Sequence, residues 1–291
     1  MWKLFNIEVY KIFMRPRTYI AFAAITALIV IIQIGLYVDG ESYMSFLLSG
    51  LEDSFEFQGK ILNGYLVSYI LLQLLLVHIP LLIALIAADM ISGEANMGTL
   101  RLLISKPISK TSFILGKFLA ASFYTLLLLI WIAFLAIAVS TWIFGTGDLI
   151  VLKNAYVVQI AQDDIFWRYT GAFAFALLAM LSVTALSFFL SVFAENSIGP
   201  IVATMSIIIF FTIMSTLSIP LFQHVQPYLF TTHMVNWKEF FDEKLDTSDN
   251  VIKGSIQNVQ QLYHSAIVLG IYIVVFVSGA ILFFKQKDIL S

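Results

Sequence analysis

The sequence predicts an all-α integral membrane protein: six transmembrane helices, an N-terminal amphipathic interface helix, and both termini in the cytoplasm. Three observations carry that reading. The 291 residues are 60% hydrophobic and only 12% charged, with a mean hydropathy of +0.94, whereas soluble domains carry roughly 25% charged residues. Six apolar stretches are each long enough to cross the hydrocarbon core, which takes about 20 residues of helix. Lys and Arg gather in the arms and loops on one side of those stretches.

Residues 1–17 come first. Trp2, Phe5, Val9, Ile12 and Phe13 share one face at helical spacing, flanked by Lys3, Asn6 and Tyr10 on one side and Glu8, Lys11 and Arg15 on the other. Such a stripe suits a helix lying in the membrane interface, and Pro16 ends it because the residue before a proline disfavours α geometry. The spans follow at about 18–38, 64–88, 118–144, 169–194, 198–219 and 265–284. Residues 18–38 are longer than a signal-peptide core and no Ala-x-Ala site follows, so they read as a retained first span. Within hydrocarbon only a helix satisfies its own backbone without a neighbouring strand. Runs such as 126–130 and 207–211 lack the alternation of a β-barrel strand. The connections on one side are loop 89–117 and the minimal hairpin Glu195-Asn196-Ser197. On the other they are loops 39–60, 147–168 and 220–264, the last rich in aromatic residues between 226 and 241.

Ten of the sixteen basic residues fall on the side of the termini: Lys3, Lys11, Arg15, Arg17, Arg101, Lys106, Lys110, Lys117, Lys285 and Lys287. By the positive-inside rule that side is cytoplasmic, which predicts a multi-pass protein of the cell (inner or plasma) membrane.

Much chemistry is excluded. No cysteine is present, so disulfides, thiol catalysis and cysteine metal sites are absent. A net charge of −2 gives no basic field for nucleic acid. No glycine begins the Gly-x-x-x-x-Gly-Lys-Ser/Thr loop that cradles nucleotide phosphates. The chain therefore lacks a P-loop engine, and any work from ATP must enter through another protein. No cofactor, metal or catalytic residue is predicted in the chain. His224, His233 and His264 have no compact zinc-ligand spacing, and Asp163-Asp164 reads as a solvated external pair. Gln33, Gln73 and His78 are the polar residues predicted to face the bundle interior. Gln73 and His78, near Pro80 in span two, are the candidate pathway residues, because an ionisable group in the membrane is a functional candidate by default.

The loop 89–117 is the most informative connection. Ser92-Gly93 is predicted to interrupt span two, Thr99 to cap a short helix, and Pro107 to end it. Leu100, Leu103 and Ile104 share an apolar face at i, i+3, i+4, the kind of face that seats in a groove on a partner. The plainer reading is a turn that joins two spans, with Glu94 and Arg101 as solvated charges. In Glu94, Gly98, Thr99, Leu100, Leu102, Leu103, Ser105, Pro107 and Lys110, with Gly116 and Lys117 leading into span three, the chain resembles the permease subunits of ABC-2-type transporters. That resemblance extends to the basic arm, the six spans and the long last external loop. It implies a permease that couples ATP hydrolysis by a separate ATPase, present in two copies with ATP and Mg, to export of an amphipathic or hydrophobic substrate. It implies a coupling site formed by Glu94, Gly98, Thr99, Leu100, Arg101, Leu103, Ser105 and Pro107, and a homodimer or a paralogous permease in the lipid bilayer. The rival readings are a secondary transporter or channel independent of an ATPase, and an intramembrane enzyme, for which no cluster of catalytic residues is visible.

Overall fold

The computed structural model describes residues 2–48, 61–100, 108–152, 157–217, 219–244 and 252–287, with backbone only at 46–48 and 152. Helix α1 (Trp2–Met14) is followed directly by α2 (Pro16–Leu48). Pro16 takes the first helical position, where its missing N–H costs nothing. The buried positions of α2 are Thr18, Ala21, Ile25, Ile29, Gln33, Leu36, Gly40 and Met44. They recur every three or four residues, the seam of a helix that packs on one side only. The helix continues ten residues past the predicted end at 38, because nothing from Asp39 to Leu48 breaks helical geometry once the polar stretch has left the membrane.

Span two is broken rather than continuous. Helices α3 (Gly64–Leu75) and α4 (His78–Ala87) meet at 55°. Pro80 explains the bend: it offers no N–H to the carbonyl of Leu76, and its ring crowds that turn. The chain then runs through α5 (Asp89–Asn96). Ser92-Gly93 lies inside this helix, contrary to the predicted interruption, and Gly98 provides the stop with φ +69°, a value that suits glycine.

Span three is α6 (Lys110–Phe144), with a π-helical stretch at Phe134–Val139. The polar groups loosened there are met from neighbouring helices. Gln33 Nε2 donates to Leu135 O (3.0 Å) and Ser140 Oγ (2.9 Å), and the Ser68 hydroxyl reaches Ala136 O. Gly64 lets α3 cross the end of α6 closely; a Cβ there would lie under 3.0 Å from the backbone of Thr141.

A two-stranded antiparallel ribbon, β1 (Leu149–Leu152) and β2 (Val157–Ile160), occupies part of the predicted loop 147–168. It is the departure from an all-α fold among the described residues. Helix α7 (Gln162–Ser191) is the centre of the bundle: 56% of its most apolar window is buried, against 17% for α8 (Ile198–Thr216). It packs along α11 (Val259–Gln286), α4 and α6. Between α8 and α11 lie the short helices α9 (Pro220–Gln223) and α10 (Phe230–Met234), then a 3₁₀ segment, Val235–Phe241. Phe230, Trp237 and Phe241 are buried against the bundle, so this stretch caps it.

The chain ends gather at one pole, termed basal. Lys110 Nζ donates to Lys285 O (3.0 Å), Lys287 Nζ to Val192 O (2.9 Å), and α1 lies along the start of α6. The ribbon and the cap mark the opposite, distal pole. Counting the bent pair as one, up to six helical units are long and apolar enough to span a membrane.

Candidate functional site

The basal pole holds the densest polar chemistry. Helix α1 lays Phe5, Val9, Ile12 and Phe13 against the bundle, with Phe5 edge-on to Phe123 at 5.8 Å. Four of the five residues of the stripe thus pack on protein, while Trp2 stays exposed. Gly116 permits the approach, with Leu4 Cβ in contact where a side chain would begin.

This docking buries Glu8, which the sequence placed on a polar flank, to 2% exposure. Its Oε1 meets Lys11 Nζ at 2.8 Å and its Oε2 meets Lys117 Nζ at 2.7 Å. Glu94 Oε1 meets the same two ammoniums, at 2.9 Å from Lys11 and 2.8 Å from Lys117. The four charges close a ring of alternating sign across α1, α5 and α6. Lys117 is 1% exposed, and its ammonium also lies 5.0 Å from the Phe113 ring centre. Burial opposes ionisation of Glu8, but the ammoniums of Lys117 and Lys11 outweigh it and hold the carboxyl below its ordinary value. Burial likewise opposes the charge on Lys11, and Glu8 and Glu94 outweigh it, so its pKa is raised. Each charge is thus held by its opposites.

One turn earlier, Asp89 makes a second clasp. Its carboxylate accepts from Arg15 and from Ser197 Oγ, and pairs with Arg17 at 2.7 Å. Gly93 makes room, since a Cβ there would overlap that carboxylate. The α1–α2 corner, the start of α5 and the hairpin before α8 are therefore tied at one point.

Of the residues predicted for coupling, Glu94, Gly98, Thr99 and Leu100 are described. Glu94 is neither solvated nor turned outward; it belongs to the ring. Thr99 Oγ1 donates to Glu94 O at 3.3 Å, and the N–H groups it is predicted to cap lie outside the described residues. Leu100 is buried. Arg101, Leu103, Ser105 and Pro107 lie outside the described residues, as do Leu102, Ile104 and Lys106.

The pathway pair is placed differently from expectation. Gln33 faces the interior, but Gln73 and His78 are exposed on the outside of the bundle at the break in span two. His78 Nδ1 lies 3.1 Å from Leu74 O, so the ring covers one carbonyl of that break. At the distal pole the Asp163-Asp164 pair is split. Asp163 is exposed beside Lys253, whereas Asp164 is buried against Arg168. The His233 and His264 rings lie 5.4 Å apart, tilted at 54° to each other. No three metal-type ligands converge among the described residues.

Sequence reasoning missed Glu8, Lys11, Asp89 and Ser197 as parts of this site. The available signal was a lone glutamate three residues before a lysine in an otherwise basic arm.

Comparison with known proteins fits this architecture. A family model described as ABC-2 family transporter protein matches residues 2–289. The chain is also similar to an uncharacterized protein, YhcI, of Bacillus subtilis (strain 168), at 22% identity over 211 residues. That similarity covers 70% of this chain and 63% of the relative's own length. The family match takes in α1, both basal clasps and every span, and the chain belongs to the ABC-2 family of transporter proteins.

Proposed function

We propose that the chain is the permease subunit of an ATP-driven exporter, moving an amphipathic or hydrophobic substrate with energy from a separate ATPase. The observation that carries this is the conjunction of a transporter-family match along residues 2–289 with a sequence that holds no P-loop. The basal pole is the cytoplasmic one, because the sequence assigns ten of the sixteen basic residues to the side of the termini. Loop 89–117 is the docking surface, with Gly98, Thr99, Leu100, Arg101, Leu103, Ser105 and Pro107 on the short segment that meets the ATPase.

Glu94 acts as a positioning residue in this reading. Its ring with Glu8, Lys11 and Lys117 makes the loop, α1 and the base of span three one rigid piece. A push on the loop then moves a span rather than a flexible connection. Two permeases and two ATPases with ATP and Mg form the working assembly, and the exposed break at Gln73 and His78 lies on the surface available to the second permease.

That break also favours a second reading, a secondary transporter, since discontinuous helices with polar residues at mid-depth build such sites. Leu103→Asp discriminates. A charge on the apolar face of the loop releases the co-purifying ATPase while leaving the chain in the membrane. Retention of an ATPase by that variant, or purification of the parent from native membranes with no ATPase attached, removes the docking surface as assigned.

A further inference from the structure

The distal pole carries a cluster that the coupling reading does not use. Arg168, on α7, is fully buried. Its Nε and Nη2 donate to Asp164 Oδ2 at 2.9 and 2.6 Å, within the same helix. Its remaining donors reach across to the cap: Nη1 to Phe240 O at 2.8 Å and Nη2 to Glu243 Oε1 at 2.9 Å. The return limb of the cap comes to the same turn. Gly254 N donates to Asp164 Oδ2 at 3.2 Å, and Lys253 pairs with Asp163. One turn further along α7, Gly171 leaves a notch in which the Phe240 ring sits; a Cβ there would meet that ring under 3.0 Å.

We propose that residues 230–244 form a lid over the distal end of the bundle, and that Arg168 is its latch. The arrangement of partners makes the latch releasable. A buried guanidinium stripped of every carboxylate would be costly. Arg168 keeps Asp164 on its own helix when the lid lifts, so of its own partners it gives up only Glu243 and the Phe240 carbonyl, which pass into water, while His233 and Asn236 on the lid give up Ser265 Oγ. The cis carboxylate lowers the cost of opening, and the trans carboxylate holds the closed state. The Phe240 ring in its glycine notch sets the position to which the lid returns. A lid of this kind suits a transporter that must seal its distal end between cycles. In that use the inference rests on the transporter reading, but the opening itself needs neither ATP nor substrate.

The absence of cysteine makes a direct test possible. Thr231, on the lid, is buried, and its hydroxyl has no partner among the described residues, so Thr231→Cys removes no hydrogen bond. The chain carrying that single cysteine is placed in lipid nanodiscs, where both poles are open to solvent, and labelled with a polar maleimide. Added Glu243→Gln raises the labelling rate by about tenfold or more, the factor that a lost hydrogen bond between charged groups represents. Added Glu239→Gln, a neighbouring carboxylate whose side chain accepts from Asn258 rather than from Arg168, leaves the rate near the parent value. Thermal unfolding of each variant separates lid release from general loosening. A second variant, Arg168→Lys, keeps the charge but loses the fork, and also speeds labelling. Equal rates in the parent, Glu243→Gln and Arg168→Lys overturn the latch. So does acceleration matched by Glu239→Gln. Loss of the ATPase partner would leave these rates unchanged, so failure of the functional reading is distinguishable.

Discussion

Replacing Lys117 with methionine is the sharpest probe of the basal ring. Methionine fills similar volume without charge, so the packing against Phe113 survives while two ion pairs vanish, those to Glu8 and Glu94. The ring is neutral in the parent. In the variant two buried carboxylates share Lys11, whose side chain is 30% exposed and therefore partly screened. Removing one partner of a buried pair costs about 3–5 kcal/mol, because the charge left behind is uncompensated. If that cost falls on the docked state of α1, the opening of that helix becomes about a hundred- to a few-thousand-fold more frequent, at 1.36 kcal/mol per factor of ten. Amide hydrogen exchange across residues 2–14, in detergent or nanodiscs, reads this opening. Lys117→Met combined with Glu94→Gln restores neutrality around Glu8 and Lys11, and recovers part of the protection, so the two effects are not additive. Protection in Lys117→Met within threefold of the parent, or a double variant whose loss equals the sum of the two single losses, refutes the ring as the element that holds α1 in place.

The same ring sets a pH window. Glu8 is depressed below 4.5, so its contribution is full above that value and is lost as pH falls through the lower folded value. Lys11 is raised above 10.5, so its contribution is full below that value and is lost as pH rises through the higher folded value. Exchange protection of α1 is therefore flat between about pH 5 and 10 and falls on either side; a decline centred near neutrality contradicts this assignment. Gly64→Ala places a methyl against the backbone of Thr141, which cannot rotate away, and costs about 1–3 kcal/mol or more. Gly35→Ala, which meets nothing within 4 Å and replaces a glycine inside α2, keeps or raises the thermal unfolding temperature, whereas Gly64→Ala lowers it. Gln33→Leu leaves Leu135 O without its donor inside the bundle and costs about 1–3 kcal/mol; a stability equal to the parent would show that the π-helical stretch closes on itself.

The spans were legible because hydrocarbon imposes one rule, about 20 apolar residues of self-satisfied backbone. Where helices stop was less legible. Asp39 marks the end of the apolar run but not of the helix, since polarity ends a span and only a breaker ends a helix. Pro80 was visible, yet its consequence, a 55° bend that turns His78 outward, depends on the bundle around it. The position of loop 89–117 followed from the apolar spans on either side of it, whereas the ring did not. Glu8, Glu94 and Lys117 are far apart in sequence, and hydropathy treats each as a solvated charge. Their burial follows from α1 folding back on span three, which its apolar stripe allowed but did not specify. Asp164 shows the same limit, because its partner Arg168 was visible at i+4 but the cap that buries both was not.

In the proposed function the chain has no engine of its own and receives work at its basal loop. ATP hydrolysis is to be measured on the chain purified alone, and then on the complex isolated from native membranes. The isolated chain hydrolyses no ATP, and activity in the complex disappears when Leu103→Asp dissociates the partner. Hydrolysis that stays with the chain, in constant ratio to it and after every other polypeptide is removed, would place the engine in this chain and refute an ATPase partner as the source of work.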